Sequence, residues 1–139
     1  MSDNKRVFID TNILVYRSFG TVNQKEKIQK LLIEHSGSTY ISVQVLNEFI
    51  NTSLKKKLFK SEALLAETLA YFIGSFQVVP IATDTVLKAN FIRERYRLAY
   101  YDSVIVAAAL ENECEVLYSE DMHHYATFEK KLKVVNPFR

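Results

Sequence analysis

The chain has 139 residues, of which 48% are hydrophobic and 24% charged, with a formal net charge of +2. That length suits one domain with a sizeable core, expected here to span residues 1–139, and the composition excludes a disordered or fibrous chain. A single cysteine, Cys114, excludes an internal disulfide framework and suits a reducing cytoplasm, and no apolar run is long enough to span a membrane.

The opening M-S-D-N-K-R has no apolar signal core, so a cytoplasmic, unprocessed protein is expected. Val7-Phe8-Ile9 then reads as a short strand buried on both faces and ending in Asp10-Thr11-Asn12. Asn12–Ser18 suggests a short helical turn. Gln24–His35 reads as a helix with Ile28, Leu31, Leu32 and His35 on one face, stopped by Ser36-Gly37-Ser38 with Gly37 as a C′ glycine. Thr39-Tyr40-Ile41 is a strand, and Ser42 caps a helix from Val43 to Lys57 whose expected apolar face is Leu46, Phe49, Ile50 and Leu54. Ser61 caps a helix over Glu62–Ile73, Phe76–Val79 is a strand ended by Pro80, and a helix begins at Thr83 and Asp84 with Val86, Ala89, Asn90 and Arg93 on one side. Asp102–Glu113 is apolar nearly all round, as a central buried helix would be. Glu115–Ser119 is the next strand, Met122–Lys131 is read as one or two helical turns, and Leu132–Val135 is the last strand. Strands alternating with helices argue for an α/β sandwich with a mainly parallel sheet of about five strands.

Three carboxylates fall at comparable places in that pattern. Asp10 ends the first strand, Asp121 follows the strand that ends at Ser119, and Asp102 opens the buried helix. In a parallel sheet, strand ends and the starts of following helices share one edge, where such folds bind ligands. Glu48, one to two turns into its helix, has the reach to join them, with Thr11, Ser119 and Glu120 nearby. Each has a plainer alternative taken singly: Asp10 and Asp102 as N-caps, Glu48 as a solvated helix residue, Asp121 as a turn residue. Together they form a cluster whose mutual repulsion needs either raised pKa values or a divalent cation, and oxygen-only ligands favour Mg²⁺ or Mn²⁺ over zinc. His123-His124 are expected at the surface or behind the site, since adjacent histidines point apart. Hydrolysis of a phosphodiester is the chemistry that fits hard cations in an acidic cleft. There is no G-x-S-x-G elbow and no P-loop, and Asp10-Thr11-Asn12 lacks the second Asp expected of a phosphoaspartate phosphatase.

The run V-F-I-D-T-N-I-L-V-Y resembles the opening of PIN-domain ribonucleases, particularly the VapC-type toxins of bacterial toxin–antitoxin pairs. Tyr100–Ala109, Val116–Met122 and the ending Asn136-Pro137-Phe138 resemble later motifs of that family, in the same order and at similar spacing. Ser103 is a departure, where relatives more often carry alanine. The resemblance implies a three-layer sandwich with a five-stranded parallel sheet in the order 3-2-1-4-5 and helices on both faces. It assigns Asp10, Glu48, Asp102 and Asp121 to an acidic catalytic and metal-binding quartet, with Asn12, Ser119 and Glu120 in support. It also implies a Mg²⁺- or Mn²⁺-dependent endoribonuclease, a homodimer, and an antitoxin that blocks the cleft with a basic side chain.

Lys55, Lys56 and Lys57, and Arg93, Arg95 and Arg97, are either solvated helix faces or clusters flanking the cleft and holding RNA phosphates. Tyr100 and Tyr101 either stack bases or pack against the sheet. The leading expectation is a ribonuclease toxin. The alternatives are a non-catalytic RNA- or protein-binding module on the same fold, and a metal-dependent nuclease acting on DNA or structured nucleic acid.

Overall fold

The computed structural model describes residues 5–139, so the reading of the first four residues as lacking a signal core lies outside the described residues. The elements run β1 (Val7–Ile9), α1 (Thr11–Phe19), α2 (Val22–Glu34), β2 (Thr39–Ser42), α3 (Val43–Lys55) and α4 (Glu62–Ser75). They continue as β3 (Gln77–Val79), α5 (Thr83–Tyr96), α6 (Tyr100–Glu111), β4 (Val116–Tyr118), β5 (Thr127–Phe128) and β6 (Leu132–Val135). Among the described residues no helix is long and apolar enough to cross a membrane.

The sheet order is β3-β2-β1-β4-β6-β5, with every pair parallel except β5 with β6. The expected 3-2-1-4-5 order is present in its first five strands, the last being β6. The sheet has a sixth, antiparallel edge strand, which corrects the reading of Met122–Lys131 as helical. Its hairpin turns through Phe128–Lys131, where Lys131 N–H donates to the Phe128 carbonyl at 3.0 Å and Glu129 and Lys130 take φ of 52° and 58°. Two successive positive φ values mark a type I′-like turn, here made without the Asn-Gly pair that usually announces one.

From β1 the chain moves to β2 and β3 on one side, then returns across the sheet to β4 on the other side of β1. Helix α1 packs with α2 and α3, and α5 with α6; the right-handed rule for such crossovers sets these two groups on opposite faces of the sheet. The all-round apolar character of α6 is explained by its position: Ser103 through Ala109 are all buried. Ala107 meets Ala89 of α5, while Ala108 and Ala109 join the main core, so the alanines allow close approach to a helix as well as to the sheet. Ser103 is fully buried, and its hydroxyl donates to the Ala99 carbonyl at 3.0 Å.

Two helix faces differ from expectation. In α3 the buried line is Val45, Phe49 and Ser53, with Leu54 exposed, and in α5 it is Thr85, Ala89 and Ile92, with Val86 and Arg93 exposed. Both helices carry apolar residues on more than one side, and the neighbouring helix and sheet select which side is covered. Phe49 anchors the α3 face, edge-on to Phe72 at 5.0 Å and to Phe59 at 6.0 Å between ring centroids.

This rotation is measurable. Phe49→Ala should cost about 3–5 kcal/mol in urea unfolding. Leu54→Ala, at a side chain 55% exposed, should stay within about 0.5 kcal/mol. A large loss from Leu54→Ala would restore the originally expected face.

Candidate active site

The direction of the chain reverses between β1 and β4, and a crevice opens at their carboxyl ends, the place where open α/β sheets bind ligands. Asp10 stands there. Its N–H extends the ladder by donating to the Tyr118 carbonyl at 3.0 Å, and its side chain caps α1, with Oδ1 accepting from Thr11 N–H at 2.7 Å. Capping and site placement are thus one geometry rather than alternatives. Oδ2 accepts from the Ser119 hydroxyl at 2.7 Å and, at 3.4 Å, from the Asn12 amide. Asn12 also accepts from Glu120 N–H at 3.2 Å, tying the turn after β4 to the start of α1.

Glu48 reaches the crevice from α3. Its Oε1 accepts from the Thr11 hydroxyl at 2.7 Å and its Oε2 from the Gln44 amide at 3.0 Å. The same Gln44 nitrogen donates to the Tyr101 carbonyl at 3.3 Å, linking α3 to the first turn of α6. Asp102 lies in that turn as the third helical residue, not as the N-cap, which is Ala99. Asp121 follows β4. Asp10, Glu48, Asp102, Glu120, Asp121 and Asn12 all line one cavity of about 570 Å³. Ser119 sits behind it, fully buried.

The electrostatics of this cavity are unbalanced. Asp10 is only 6% exposed, and burial pushes its carboxyl up to about 6, against the bonds from Ser119 and Thr11 that pull it down; the charges of Asp102 and Glu48 add to the rise. Asp102 is raised as well, first by burial and then by Asp121 and Glu48. One cation, Lys56, lines the same cavity. Among the described residues, no three His, Cys, Asp or Glu side chains are drawn together into a ready-made metal cage. The hydrogen bonds explain part of this, since both oxygens of Asp10 and of Glu48 are held by neutral donors. The donor set is nonetheless all hard oxygen, and Asp102 and Asp121 accept no side-chain bond among the described residues, so the residues suit a hard divalent cation.

A family model of the PIN domain matches residues 7–129. The chain belongs to the PIN-domain family. No curated protein matches the sequence. Among solved structures, the fold is similar to that of a chain in a toxin–antitoxin complex from Klebsiella pneumoniae, at 21% identity and TM-score 0.72, covering 94% of this chain and 97% of that one. It is similar to VapC20 of Mycobacterium tuberculosis, described as a sarcin–ricin loop cleaving toxin, at 13% identity and TM-score 0.68, covering 83% and 89%. It is also similar to a DNA-bound VapBC from Salmonella typhimurium, at 20% identity and TM-score 0.68, covering 94% and 96%. At these identities the likeness establishes the fold.

This PIN domain places the other expected residues less uniformly. Of the lysine cluster, Lys56 lines the acidic cavity, while Lys57 borders a separate depression with Ser61 and Leu65. Arg93, Arg95 and Arg97 do not line the acidic cavity; Arg95 pairs with Glu129 at 3.2 Å and Arg93 bonds Asn90 at 3.1 Å. His123 is exposed, and His124 uses Nδ1 to accept from Asn136 N–H at 2.9 Å, so neither belongs to the cavity. Burial pushes the Cys114 thiol up to about 12, which makes it inert.

Two contributors went unforeseen. Tyr16 donates to Glu120 Oε1 at 2.6 Å, and that bond is the main reason its hydroxyl is raised above the ordinary phenol range. Gln44 holds Glu48. The i, i+4 spacing of Gln44 and Glu48 was visible in sequence, but nothing there marked the glutamine as a partner.

Asp10 gives this PIN domain a pH signature. Its folded pKa of about 6 exceeds the ordinary 3.8, so the folded chain binds the proton more tightly than the unfolded chain. The stabilisation is complete below the lower value and is lost as pH rises through about 6, a change of about 3 kcal/mol. Asp10→Asn should flatten this slope and, without divalent cation, raise the melting temperature at neutral pH. Thermal unfolding across pH 4 to 7 in EDTA checks both, and a wild-type slope retained in the variant would contradict the assignment.

Proposed function

We propose that this protein is a Mg²⁺- or Mn²⁺-dependent endoribonuclease and the toxin of a toxin–antitoxin pair. The observation that carries the reading is the convergence of Asp10, Glu48, Asp102 and Asp121, from four separate parts of the chain, on one cavity at the reversal point of the sheet. These four residues would hold the cation, with Asn12, Ser119 and Glu120 in support. When bound, such a cation supplies Lewis acidity that lowers the pKa of water and neutralises charge developing on a phosphate. The family and the toxin–antitoxin neighbours support the same reading.

The chain's own residues supply the remaining steps. Ser119 and Thr11 fix both Asp10 oxygens, so this ligand is preorganised rather than recruited. Gln44 and Thr11 fix Glu48 in the same way. Asp121, exposed at the cavity mouth, accepts the proton of the attacking water as its oxygen bonds to phosphorus. The bond from phosphorus to the leaving ribose oxygen breaks, and that oxygen takes up a proton from bulk water. Lys56 offers its ammonium to a phosphate oxygen beside the carboxylates.

A basic side chain of an antitoxin entering the cavity would neutralise the same charge, and the protein would act as a homodimer. The alternative on the same fold is a non-catalytic RNA- or protein-binding module. Turnover decides between them. Asp10→Asn and Asp102→Asn, each verified as folded, should lower cleavage of labelled RNA by roughly a hundredfold or more. EDTA should abolish wild-type cleavage, and a matched DNA oligonucleotide should survive. Undiminished cleavage by Asp10→Asn would remove the assignment. Expression should arrest growth, with rescue by the product of the adjacent gene.

Lys56→Ala should also lower the slope of log affinity against log salt for single-stranded RNA by about 0.7. Arg93→Ala should leave that slope unchanged, since Arg93 lies outside the cavity.

A further inference from the structure

Helix α3 does more than deliver Glu48. On its cleft side, Gln44, Asn47, Glu48 and Asn51 follow the i, i+3, i+4, i+7 spacing of one helical face. Two further depressions, of about 330 and 520 Å³, share Gln44, Asn47 and Tyr101, and the smaller one also contains Glu48 and Asn51. Since Glu48 and Asn51 line the acidic cavity as well, the three depressions lie side by side along α3, forming a groove that borders the carboxylates.

The chemistry changes along that groove. Past Glu48 it has no charged side chain: its walls are carboxamides, two tyrosines and the apolar Val43, Pro80, Ile81 and Val104. Tyr100 is half-buried and packs on Ala89, Val104 and Ala107. Tyr101 is 66% exposed, set edge-on to Tyr100 with ring centroids 5.3 Å apart, and its backbone is held by Gln44. Asn47 and Asn51 are exposed and have no side-chain hydrogen bond among the described residues. An open aromatic face beside unengaged amide donors and acceptors matches a planar, uncharged ligand with polar edges. It does not match a phosphate, which the cation at the other end of α3, Lys56, suits better.

We propose that Tyr101, with Asn47 and Asn51, forms a subsite for one unpaired nucleobase of the RNA held at the acidic cavity. Tyr101 stacks on the base and the asparagines bond its edge, so the subsite selects single-stranded RNA and biases the base next to the cut. The proposal rests on the ribonuclease reading of the cavity, and its test separates the two.

The probe is a short single-stranded oligoribonucleotide carrying one 2-aminopurine, titrated in EDTA. Stacking on Tyr101 should quench the fluorescence on binding by the wild type and by Tyr101→Phe. Tyr101→Ala should lose the quenching and bind about five- to a hundredfold more weakly, with the salt slope unchanged. Asn47→Ala should alter the base preference in a cleavage map. Quenching and affinity unchanged in Tyr101→Ala would overturn the subsite, as would equal losses in Tyr101→Phe and Tyr101→Ala. A change in oligomeric state of Tyr101→Ala by light scattering would also overturn it, assigning the surface to a second copy of the chain. Wild-type cleavage pattern and rate in Tyr101→Ala would remove the subsite and leave the nuclease. Tyr101-dependent quenching without cleavage in any divalent metal would keep the subsite and remove the nuclease.

Discussion

A carboxylate that is almost out of contact with water, at the middle of the sheet, is the constraint on which the site depends. Asp10 continues the β1–β4 ladder with its backbone, caps α1 with one oxygen and accepts from Ser119 with the other. Each of these ties it to a different element, so its position is overdetermined. The bonds lower the cost of its charge without cancelling it, which is why burial still dominates and holds the pKa near 6.

The other acids differ in how firmly they are held. Glu48 has both oxygens engaged, and Glu120 is tied to Tyr16. Asp102 and Asp121 have no such bonds among the described residues, yet Asp102 is held by α6, whose next seven residues, Ser103 to Ala109, are all buried. Its place in the first turn also sets its charge against the positive end of the helix dipole, opposing the penalty of burial. The site therefore pairs two carboxylates already bonded by neutral donors with two that have unused lone pairs, a division that would suit a cation on the proposed reading.

Much of this was legible because chemistry in a parallel sheet gathers at strand ends, and strand ends are marked by where short apolar runs stop. Asp10 and Asp121 follow such stops, whereas Asp102 was marked by the start of the long apolar run of α6. Helix-borne detail was less legible. Apolar residues on two sides of α3 left its rotation open, and the selected face, centred on Val45 and Phe49, turns Glu48 nearer the sheet than the expected face would have done. Strand β5 lay below the reach of any periodicity, being two residues long and joined to β6 by Glu129 and Lys130 in a turn that usually asks for Asn and Gly. Tyr16 reaches Glu120, and Gln44 reaches the Tyr101 carbonyl, across elements distant in sequence, and such bonds exist only once the elements are in place.

The near-neutral net charge conceals the arrangement around the cavity, where four acids and Glu120 face one lysine. From Gln44 to Lys56 the helix passes from amides beside an exposed tyrosine, through Glu48 next to the other carboxylates of the cavity, to a lysine at its C-cap. A lysine there also suits the helix itself, since the last carbonyls attract positive charge. The placement that stabilises α3 thus puts the cavity's one cation at the opposite end from its aromatic groove. On the ribonuclease reading this order gives the substrate a direction: backbone towards the lysine, base towards the tyrosine, and the bond to be cut at the carboxylates between them.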